Sequence, residues 1–334
     1  MQKRLLLNVP LDLEARTRLA AHCEIVGPLS GNIAATLDKY APIDAIMASA
    51  VISMDGAAMD KLPDLQCIGR LGIGYDNIDV DAANERGILV INTPDAPAQS
   101  TAEHAVSFIL ALAKRTVAYD SMVRSGRWNE RLNDLGCEVA GKTLGIIGIG
   151  RVGRRTAQMC AGLQMNIISY DPFVSPKDCP ANIELVTDLK SLLQKSDFIS
   201  LHLPLVKSTY HLIGAAEFDA MKPGAFLINV ARGGLVDPSA LANALQSHKI
   251  AGAAFDVYEP EPPTAAEPIM TLPNLIFSPH IAWATREGSR RMYEMLVNDV
   301  LDALSGKCPA HLVNPTVWEH SRILSIKPNL ESLK

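Results

Sequence analysis

The amino-acid sequence predicts an α/β protein built on two parallel β-sheets. Short apolar runs rich in Val, Ile and Leu alternate with helix-forming segments along most of the 334 residues. These runs fall into two series, and the second series begins near Lys142. Because a chain of this length is long enough for two domains of ordinary size, each series is expected to form its own sheet.

Composition and charge indicate a globular protein with substantial cores. Hydrophobic residues make up 48% of the chain, charged residues 20%, and the net charge at pH 7 is −5. This acidic balance gives no electrostatic reason to expect nucleic acid or a membrane as partner. The six cysteines are scattered without CxxC spacing, so we expect neither disulfides nor a bound metal. The N-terminal apolar run is broken by Asn8, Pro10 and Asp12 and is too short for a signal peptide, so a cytoplasmic location is expected.

The two series of predicted strands are separated by a helical stretch. The first series contains the runs RLLLNV, CEIVG, AIMAS, LQCIGRLG and GILVINTP. The second contains KTLGIIGIG, NIISYDP, DFISLHLP, AFLINVARG, AGAAFDVY and NLIFSPH. Between them, TAEHAVSFILALAKRTVAYDSMVRSG has the apolar spacing of one long helix.

A second long helix, TREGSRRMYEMLVNDVLDALSGK, follows the last strand and is predicted to end at Gly306. Such a helix can carry the chain back to the first domain, so we expect the first domain to be discontinuous. The predicted division is 1–98 with 286–334 for the first domain and 99–285 for the second. Weak periodicity from His320 to Lys334 predicts a loosely held tail.

A glycine-rich turn lies near the start of the second series. Gly148, Gly150 and Gly153 form a GxGxxG pattern directly after the apolar run Leu144–Ile147 and before a predicted helix. The next strand ends in Asp171, 18 residues after Gly153 (171 − 153), and a spacing of roughly 20 is typical of a ribose-binding acid. The carboxylate of Asp171 would accept hydrogen bonds from both ribose hydroxyls and repel a 2′-phosphate, which favours NAD over NADP.

Each glycine has a physical role in such a site. Gly148 permits a tight turn, Gly150 lets the backbone approach a pyrophosphate, and Gly153 allows helix and strand to pack closely. Backbone N–H groups around Arg151 and Val152, at the start of the helix, would face the phosphates. The alternative is a purely structural glycine turn.

Three polar residues follow the ends of later predicted strands. They are Arg232 in NVARGGLVD, Glu261 in DVYEPEPP and His280 in SPHIAWAT. Because strand carboxyl ends face the ligand crevice of a doubly wound sheet, these side chains can converge on a nicotinamide ring. Taken singly, each has a plainer interpretation: Arg232 as a turn cap, Glu261 as a solvated loop residue and His280 as a core histidine.

The stretches GIIGIGRVGRR, INVARGGLVD, DVYEPEP and SPHIAWAT, in this order and spacing, resemble the D-isomer-specific 2-hydroxyacid dehydrogenase family. LGIGYDNIDVDAANERGILVINTP and STAEHAVSFILALAKR resemble it as well, and the resemblance extends roughly from Leu62 to Val313. It implies two Rossmann-like domains with parallel sheets, a flavodoxin-like discontinuous substrate domain and an NAD-binding Rossmann domain. It also implies a homodimer whose interface includes the helix and arm around Ala102–Val139, where Trp128 and Leu132 would anchor a partner.

The resemblance implies interconversion of a 2-keto acid and its D-2-hydroxy acid, and the chemistry of the side chains agrees. Arg232 would bind the substrate carboxylate and polarise the neighbouring carbonyl. His280 would give its proton to the carbonyl oxygen as hydride arrives from NADH. Glu261 would hold the tautomer of His280 and stabilise the imidazolium.

Further contacts with the cofactor are implied at the same end of the sheet. Asp256 resembles the family's acid near the nicotinamide amide. The segment from Val230 to Arg232, which includes Ala231, is expected to touch the cofactor. The segment from His280 to Trp283 is expected to touch it as well.

A second glycine-containing loop, LGIGYDN in the first domain, resembles the family's loop that holds the substrate carboxylate. Its glycines are expected to expose backbone N–H groups, and a purely structural turn is the alternative. The predicted substrate-binding residues of this loop are Leu71, Gly72, Ile73 and Gly74.

The sequence narrows the choice of substrate. The phosphoglycerate branch of the family usually has an arginine in the segment corresponding to AIMASAVIS, where this chain has Ala48, and often carries a regulatory domain not expected here. The tryptophan after HIA, Trp283, resembles the one found in glyoxylate/hydroxypyruvate reductases and glycerate dehydrogenases. Formate dehydrogenases share the fold but have Gln in place of Glu261. We therefore expect a small unphosphorylated 2-keto acid. A 3-phosphoglycerate dehydrogenase is one alternative, since Arg70 could reach an anion, and an NAD-binding corepressor of the same family is another.

Overall fold

The computed structural model describes residues 2–264 and 267–325 of the chain. The chain divides into two compact units, one spanning Met1–Pro97 and Arg286–Lys334 and the other Ala98–Thr285. The first unit is thus built from both ends of the chain. Each unit contains one parallel sheet with helices, which confirms the predicted fold class.

Twelve β-strands lie in the described ranges. In chain order they are β1 (Lys3–Leu7), β2 (Cys23–Val26), β3 (Ala45–Ala48), β4 (Cys67–Arg70), β5 (Leu89–Ile91), β6 (Thr143–Ile147), β7 (Asn166–Tyr170), β8 (Glu184–Leu185), β9 (Phe198–Leu201), β10 (Ala225–Asn229), β11 (Ile250–Phe255) and β12 (Leu275–Phe277). All were predicted except β8, which is only two residues long and has no apolar pattern of its own.

Eleven α-helices lie in the same ranges, and none of them is long and apolar enough to cross a membrane. They are α1 (Leu13–Ala20), α2 (Gly56–Asp60), α3 (Val80–Glu85), α4 (Ala98–Ala113), α5 (Thr116–Arg124), α6 (Arg151–Gly162), α7 (Leu189–Lys195), α8 (Ala215–Ala220), α9 (Pro238–Gln246), α10 (Arg286–Leu304) and α11 (Arg322–Ser325). Short 3₁₀ helices cover Ala34–Tyr40, Trp128–Glu130, Gly233–Leu235, Pro268–Thr271 and Pro315–His320.

Both sheets are parallel throughout. The sheet of the first unit has the strand order β2-β1-β3-β4-β5, and that of the second unit has β12-β11-β10-β9-β6-β7-β8. In the second sheet the chain proceeds outward from β6 in one direction and outward from β9 in the other. The strand order therefore reverses between β6 and β9, and ligands of doubly wound sheets bind at the carboxyl ends of strands at such a point.

The strands form because their side chains are apolar on both faces. Strands β3, β4 and β9 are buried along their whole length, as expected when helices cover a parallel sheet on both sides. In the second unit, one core joins the sheet to α7, α8 and α9, and another joins it to α4 and α6. In the first unit, α10 packs so closely on β4 that a Cβ at Gly69 would lie 2.8 Å from Val300 Cγ2.

Aspartate caps begin five of the helices. The side chains of Asp12, Asp55, Asp79, Asp188 and Asp237 accept backbone N–H groups at the starts of α1, α2, α3, α7 and α9. Such caps satisfy N–H groups that have no partner inside the helix. Helix α6 differs, because it begins after Gly150 and no side chain caps it.

The prediction of one long helix after the first series is wrong. Helix α4 ends at Ala113, and α5 begins at Thr116 after Arg115 adopts a left-handed conformation with φ of 53°. The helix ends there because of Cys137, which lies 24 residues after Ala113 (137 − 113). The N–H of Cys137 donates to the carbonyl of Ala113 at 2.7 Å, and a continuous helix would need that carbonyl for its next turn.

The predicted loose tail is wrong for its described part. Arg322 Nη1 donates to the carbonyls of Pro63 and Leu65 at 2.8 and 3.0 Å, and Ile323 is buried. Residues 326–334, which complete the predicted tail, lie outside the described residues.

One buried asparagine joins the two chain segments of the first unit. Asn314 Oδ1 accepts the N–H of Val90 at 2.8 Å, while its Nδ2 donates to Asn84 Oδ1 at 2.9 Å and to the carbonyl of Ile88 at 3.0 Å. The segment after α10 is thereby fixed to the beginning of β5. Removal of the Asn314 side chain leaves the buried N–H of Val90 and the buried carbonyl of Ile88 without these partners.

We expect Asn314→Ala to lower the free energy of unfolding by about 3 kcal/mol, because each buried polar group left unpaired costs about 1–3 kcal/mol. The matched control is Asn298→Ala on the exposed face of α10, which should change it by at most about 0.5 kcal/mol. Urea denaturation followed by circular dichroism measures both. Equal midpoints for the two variants would contradict the role of Asn314.

Candidate active site

The glycine-rich turn lies where the strand order reverses. Gly148 directly follows β6 and has φ of +91°, a conformation that favours glycine. A Cβ on Gly148 would lie 2.5 Å from the carbonyl oxygen of His202, which follows β9. Both the backbone conformation and the close approach of the neighbouring strand therefore require glycine at this position.

The other two glycines of the motif shape the start of α6. A Cβ on Gly153 would lie 2.2 Å from the carbonyl oxygen of Gly148, so the helix approaches the turn as closely as glycine allows. A Cβ on Gly150 would meet no atom within 4 Å. Open space therefore lies beside the uncapped N-terminus of α6, where Arg151 and Val152 are the first helical residues. An anion can approach backbone N–H groups there, aided by the helix dipole.

Asp171 follows β7 and lies beside this turn. Its Oδ2 accepts the N–H of Ile149 and its Oδ1 accepts the N–H of Phe173, both at 3.0 Å. Each carboxylate oxygen can accept two hydrogen bonds, so each retains capacity for one hydroxyl. A carboxylate with this capacity beside an uncapped helix start fits the ribose and pyrophosphate of an adenine dinucleotide.

The turn after β10 is held by a buried asparagine. Asn229 Nδ2 donates to the carbonyl of Arg232 at 2.8 Å, and its Oδ1 accepts the N–H of Ala231 at 3.1 Å. Val230 is buried within this turn, and Arg232 Nη1 donates to the carbonyl of Ala231 at 2.7 Å. The asparagine thus sets the backbone from which the arginine side chain extends.

The turn after β10 contacts the loop after β11. A Cβ on Gly233 would lie 2.0 Å from the carbonyl carbon of Tyr258, which no side chain could occupy. This contact brings the backbone of Arg232 beside the segment that carries Glu261. The guanidinium is close enough for its charge to lower the pKa of Glu261.

Glu261 and His280 form a hydrogen-bonded pair. His280 Nδ1 lies 2.7 Å from Glu261 Oε2, and Glu261 Oε1 accepts the N–H of Tyr258 at 2.9 Å. The side chains are 31% and 35% exposed, respectively. Burial alone would raise the pKa of Glu261, but the hydrogen bond and charge of His280, the Tyr258 N–H and the charge of Arg232 together hold that pKa below its ordinary value.

The pair determines which nitrogen of His280 can react. Glu261 is ionised and can only accept, so the proton shared with it belongs to His280 Nδ1. Nε2 is then the atom that can exchange a proton with a ligand. His280 itself has φ of 54°, an uncommon conformation for a residue other than glycine, and its carbonyl accepts the indole N–H of Trp283 at 3.1 Å.

The predicted contact between Asp256 and the cofactor stays a prediction, and within the protein the side chain of Asp256 contacts the turn after β12. Its side chain is 1% exposed, and its oxygens already accept the N–H groups of Ile281 and Ala282 at 2.9 and 2.8 Å and the hydroxyl of Ser278. Asp256 holds the turn that follows β12. Charged residues are rarely buried without such partners.

Sequence reasoning did not identify three residues around that turn. His104 on α4 contacts Ser278, and the hydroxyl of Tyr258 donates to the carbonyls of Phe255 and Ser278 at 3.0 and 2.7 Å. Burial and the charge of Asp256 raise the pKa of Tyr258 to about 12, so the phenol keeps its proton. No spacing in the sequence could reveal these pairs. In the part of the chain that the structure describes, no three His, Cys, Asp or Glu side chains could share a metal ion.

The glycine-containing loop of the first unit follows β4. Gly72 has φ of +134°. Its N–H was expected to be exposed, but it donates to Thr93 Oγ1 at 2.9 Å. The carbonyl of Ile73 accepts the amide of Asn92 at 2.7 Å. Leu71 is buried and its N–H donates to the carbonyl of Ala48 at 3.2 Å. The backbone amides left for a ligand are those of Ile73 and Gly74.

Comparisons with known proteins show the family to which the chain belongs. Residues 106–282 match the family described as D-isomer specific 2-hydroxyacid dehydrogenase, NAD binding domain. The chain is 41% identical over 271 residues to the D-3-phosphoglycerate dehydrogenase of Archaeoglobus fulgidus, a match that covers 81% of this chain and 51% of that one. It is 40% identical over 291 residues to the glyoxylate reductase of Thermococcus litoralis, covering 85% of this chain and 88% of that one.

A solved structure shows the same architecture. The glyoxylate reductase from Paecilomyes thermophila superimposes with a TM-score of 0.85 at 30% identity, covering 94% of this chain and 99% of the other. The chain spans about half the length of the phosphoglycerate dehydrogenase relatives that it matches.

We expect Gly153→Ala to weaken NADH binding at least about tenfold, because the new Cβ must push α6 away from the turn at Gly148. The matched control is Gly162→Ala at the other end of α6, where a Cβ would meet nothing within 4 Å. That variant should bind NADH normally. Titration of NADH fluorescence measures both affinities, and equal affinities would contradict the assignment of the turn.

Proposed function

Because the chain belongs to the D-isomer-specific 2-hydroxyacid dehydrogenase family, we propose that it interconverts a small 2-keto acid and its D-2-hydroxy acid with NAD(H). The observation that carries the proposal is the 2.7 Å pair of His280 and Glu261, beside the turn that bears Arg232. An imidazole oriented by a carboxylate, next to a guanidinium, is suited to proton exchange on an anionic substrate. When bound, the nicotinamide supplies or receives the hydride.

His280 acts as the acid in reduction and as the base in oxidation. Nδ1 remains bonded to Glu261, so Nε2 delivers the proton to the substrate oxygen. The Glu261 carboxylate stabilises the imidazolium form that must exist before each reduction. After transfer the ring is neutral with its proton on Nδ1, and one proton from solvent restores it.

Arg232 binds the carboxylate of the substrate. Its planar fork offers parallel N–H donors that match two carboxylate oxygens, and its charge polarises the adjacent carbonyl. Val230 and Ala231 precede it in the same turn and, with Trp283, are assigned to the nicotinamide end of the cofactor. In the first unit, considered by itself, the amides of Ile73 and Gly74 are assigned to a carboxylate as well.

We assign the two units different tasks. Residues 99–285 form the NAD-binding domain, in which Gly148, Gly150, Gly153 and Asp171 hold the dinucleotide. Residues 1–98 and 286–334 form the substrate domain. The carboxylate of Asp171 favours NAD, because a 2′-phosphate would meet its negative charge.

The proposed substrate is an unphosphorylated acid of the glyoxylate or hydroxypyruvate kind. Ala48 at the end of β3 provides no cation for a phosphate and is fully buried. Arg70, the nearby alternative, is 6% exposed and donates from Nε to Asn77 Oδ1 at 3.2 Å, so its side chain is held within its own loop. The match to a glyoxylate reductase over most of its length supports this choice. The phosphoglycerate dehydrogenase relatives keep 3-phosphoglycerate as the second candidate.

We also propose that the protein functions as a homodimer. Large apolar side chains are exposed along residues 116–136, among them Trp128 at 59%, Leu132 at 70% and Leu135 at 68%. Several large apolar side chains exposed within one short segment favour an interface there. Aromatic side chains such as Trp128 are typical anchors of such contacts.

The substrate is tested with a panel of glyoxylate, hydroxypyruvate, pyruvate, phenylpyruvate and 3-phosphohydroxypyruvate, with NADH and NADPH in turn. We expect the highest kcat/KM for glyoxylate or hydroxypyruvate with NADH, measured by the loss of NADH absorbance. A clear preference for 3-phosphohydroxypyruvate would replace the substrate assignment. A protein that binds NADH but reduces none of the acids would contradict the enzymatic proposal.

We expect His280→Ala to lower kcat by about 10²- to 10⁴-fold, because the proton donor is lost. Glu261→Gln should lower kcat less, since an amide still contacts the ring but no longer stabilises the imidazolium. NADH affinity should remain unchanged in both, as measured by fluorescence. Turnover of His280→Ala within tenfold of the wild type would refute the acid assignment.

The double variant Trp128→Glu with Leu132→Glu is expected to be monomeric, because charged side chains disfavour the apolar contact. Sedimentation velocity measures the mass in solution. The control is Leu13→Glu at an exposed apolar position of α1, 81% exposed, which should leave the dimer intact. A monomeric wild-type protein would contradict the proposal.

A further inference from the structure

A second histidine is connected to the turn that carries His280. His104 lies on α4, where its side chain is 22% exposed. Its Nε2 lies 2.9 Å from the hydroxyl oxygen of Ser278. That hydroxyl in turn donates to Oδ1 of the buried Asp256. The three side chains, which we call the turn network, come from α4, the end of β12 and the end of β11.

Proton counting determines the direction of each bond in the turn network. Ser278 has a single hydroxyl proton, and an ionised carboxylate can only accept, so this proton belongs to the bond with Asp256. The Ser278 oxygen must therefore accept from His104, which places a proton on His104 Nε2. Burial lowers the pKa of His104, while the charge of Asp256 raises it only in part, so the ring is neutral near pH 7.

Asp256 joins the turn network to the backbone on either side of His280. Asp256 accepts the N–H groups of Ile281 and Ala282, the two residues that follow His280. On the other side, Ser278 and Asp256 are bonded directly. The left-handed conformation of His280 is unfavourable for a residue with a side chain, and it persists only where surrounding contacts impose it.

We propose that His104 and Ser278 are positioning residues for His280, acting through Asp256 to hold the turn in the conformation that presents the imidazole to Glu261. The role of His280 in this inference rests on the proposed function. His104 would not touch the reacting atoms. It donates one hydrogen bond that keeps the Ser278 hydroxyl directed at Asp256. Without that bond the hydroxyl can rotate, and the carboxylate loses one of its three donors.

The test compares two disrupting variants, His104→Leu and Ser278→Ala, with a rescue variant, His104→Gln. The glutamine amide can donate from a position close to that of His104 Nε2, so it should preserve the network. Ser107→Ala is the matched control, because Ser107 lies on the exposed side of the same helix and its hydroxyl donates to the backbone carbonyl of His104 and not to its ring. Circular dichroism verifies folding, and either disrupting variant alone suffices if the other fails to fold.

The first readout is independent of turnover. Nitrogen NMR of histidine-labelled protein without cofactor reports the tautomer of His280, whose signals are identified by their loss in His280→Ala. We expect wild type, His104→Gln and Ser107→Ala to hold the proton on Nδ1. His104→Leu and Ser278→Ala should show a mixture of both tautomers. Unchanged His280 signals in both disrupting variants would overturn the proposal.

The second readout separates kcat from binding. In the disrupting variants we expect kcat to fall about tenfold while the NADH dissociation constant and the KM of the keto acid stay within about twofold, because only the proton donor is displaced. Equal losses of kcat in His104→Gln and His104→Leu would also overturn the proposal, since the hydrogen bond from His104 would then be irrelevant. If the wild type reduces no keto acid, the proposed function fails, and the tautomer measurement still decides whether the network positions His280.

Discussion

All strands of the second sheet run in the same direction, and the site depends on this constraint. A parallel sheet places every strand carboxyl end on one edge, so the residues that follow β6, β7, β10, β11 and β12 lie along that edge although they are far apart in sequence. The reversal of strand order between β6 and β9 opens a gap at that edge. Gly148 lies at this gap, while Arg232 and His280 lie along the same edge.

Two carboxylates beside the same histidine have opposite environments and different tasks. Asp256 is fully buried and accepts three hydrogen bonds, two of them from backbone N–H groups, so its carboxylate fixes the backbone of the turn. Glu261 is about one-third exposed, and its pKa is held down by the ring it contacts and by a nearby guanidinium. One acid thus determines where His280 lies, and the other determines which of its nitrogens carries the proton. The same carboxylate group serves structure in one place and the proposed chemistry in the other because burial differs.

The sequence predicted those features that depend on neighbours along the chain. Apolar runs located almost every strand, and the spacing of Gly148, Gly150, Gly153 and Asp171 located the turn and the acid beside it. Features that depend on distant segments were missed. The break at Arg115 arises from Cys137, which takes a carbonyl that the helix pattern reserves for itself.

Prediction of the site from the sequence has similar limits. His104 and Ser278 are 174 residues apart, so no local pattern joins them. Asp256 follows the end of a strand, and no local pattern reveals that the backbone N–H groups of Ile281 and Ala282 donate to it. Likewise, the N–H of Gly72 was expected to be open, and only the fold shows that Thr93 occupies it. Position in sequence identifies which residues reach the edge of the sheet, and the fold determines which of them remain accessible.

The left-handed backbone of His280 places stability and activity in opposition at one residue. Glycine and asparagine tolerate this conformation better than histidine does, so either residue would relieve strain at position 280. Selection for thermal resistance alone would therefore favour replacing the one side chain that the proposed chemistry requires. A library sorted only for folding would enrich inactive proteins at this position, and retention of histidine there would signal selection for catalysis.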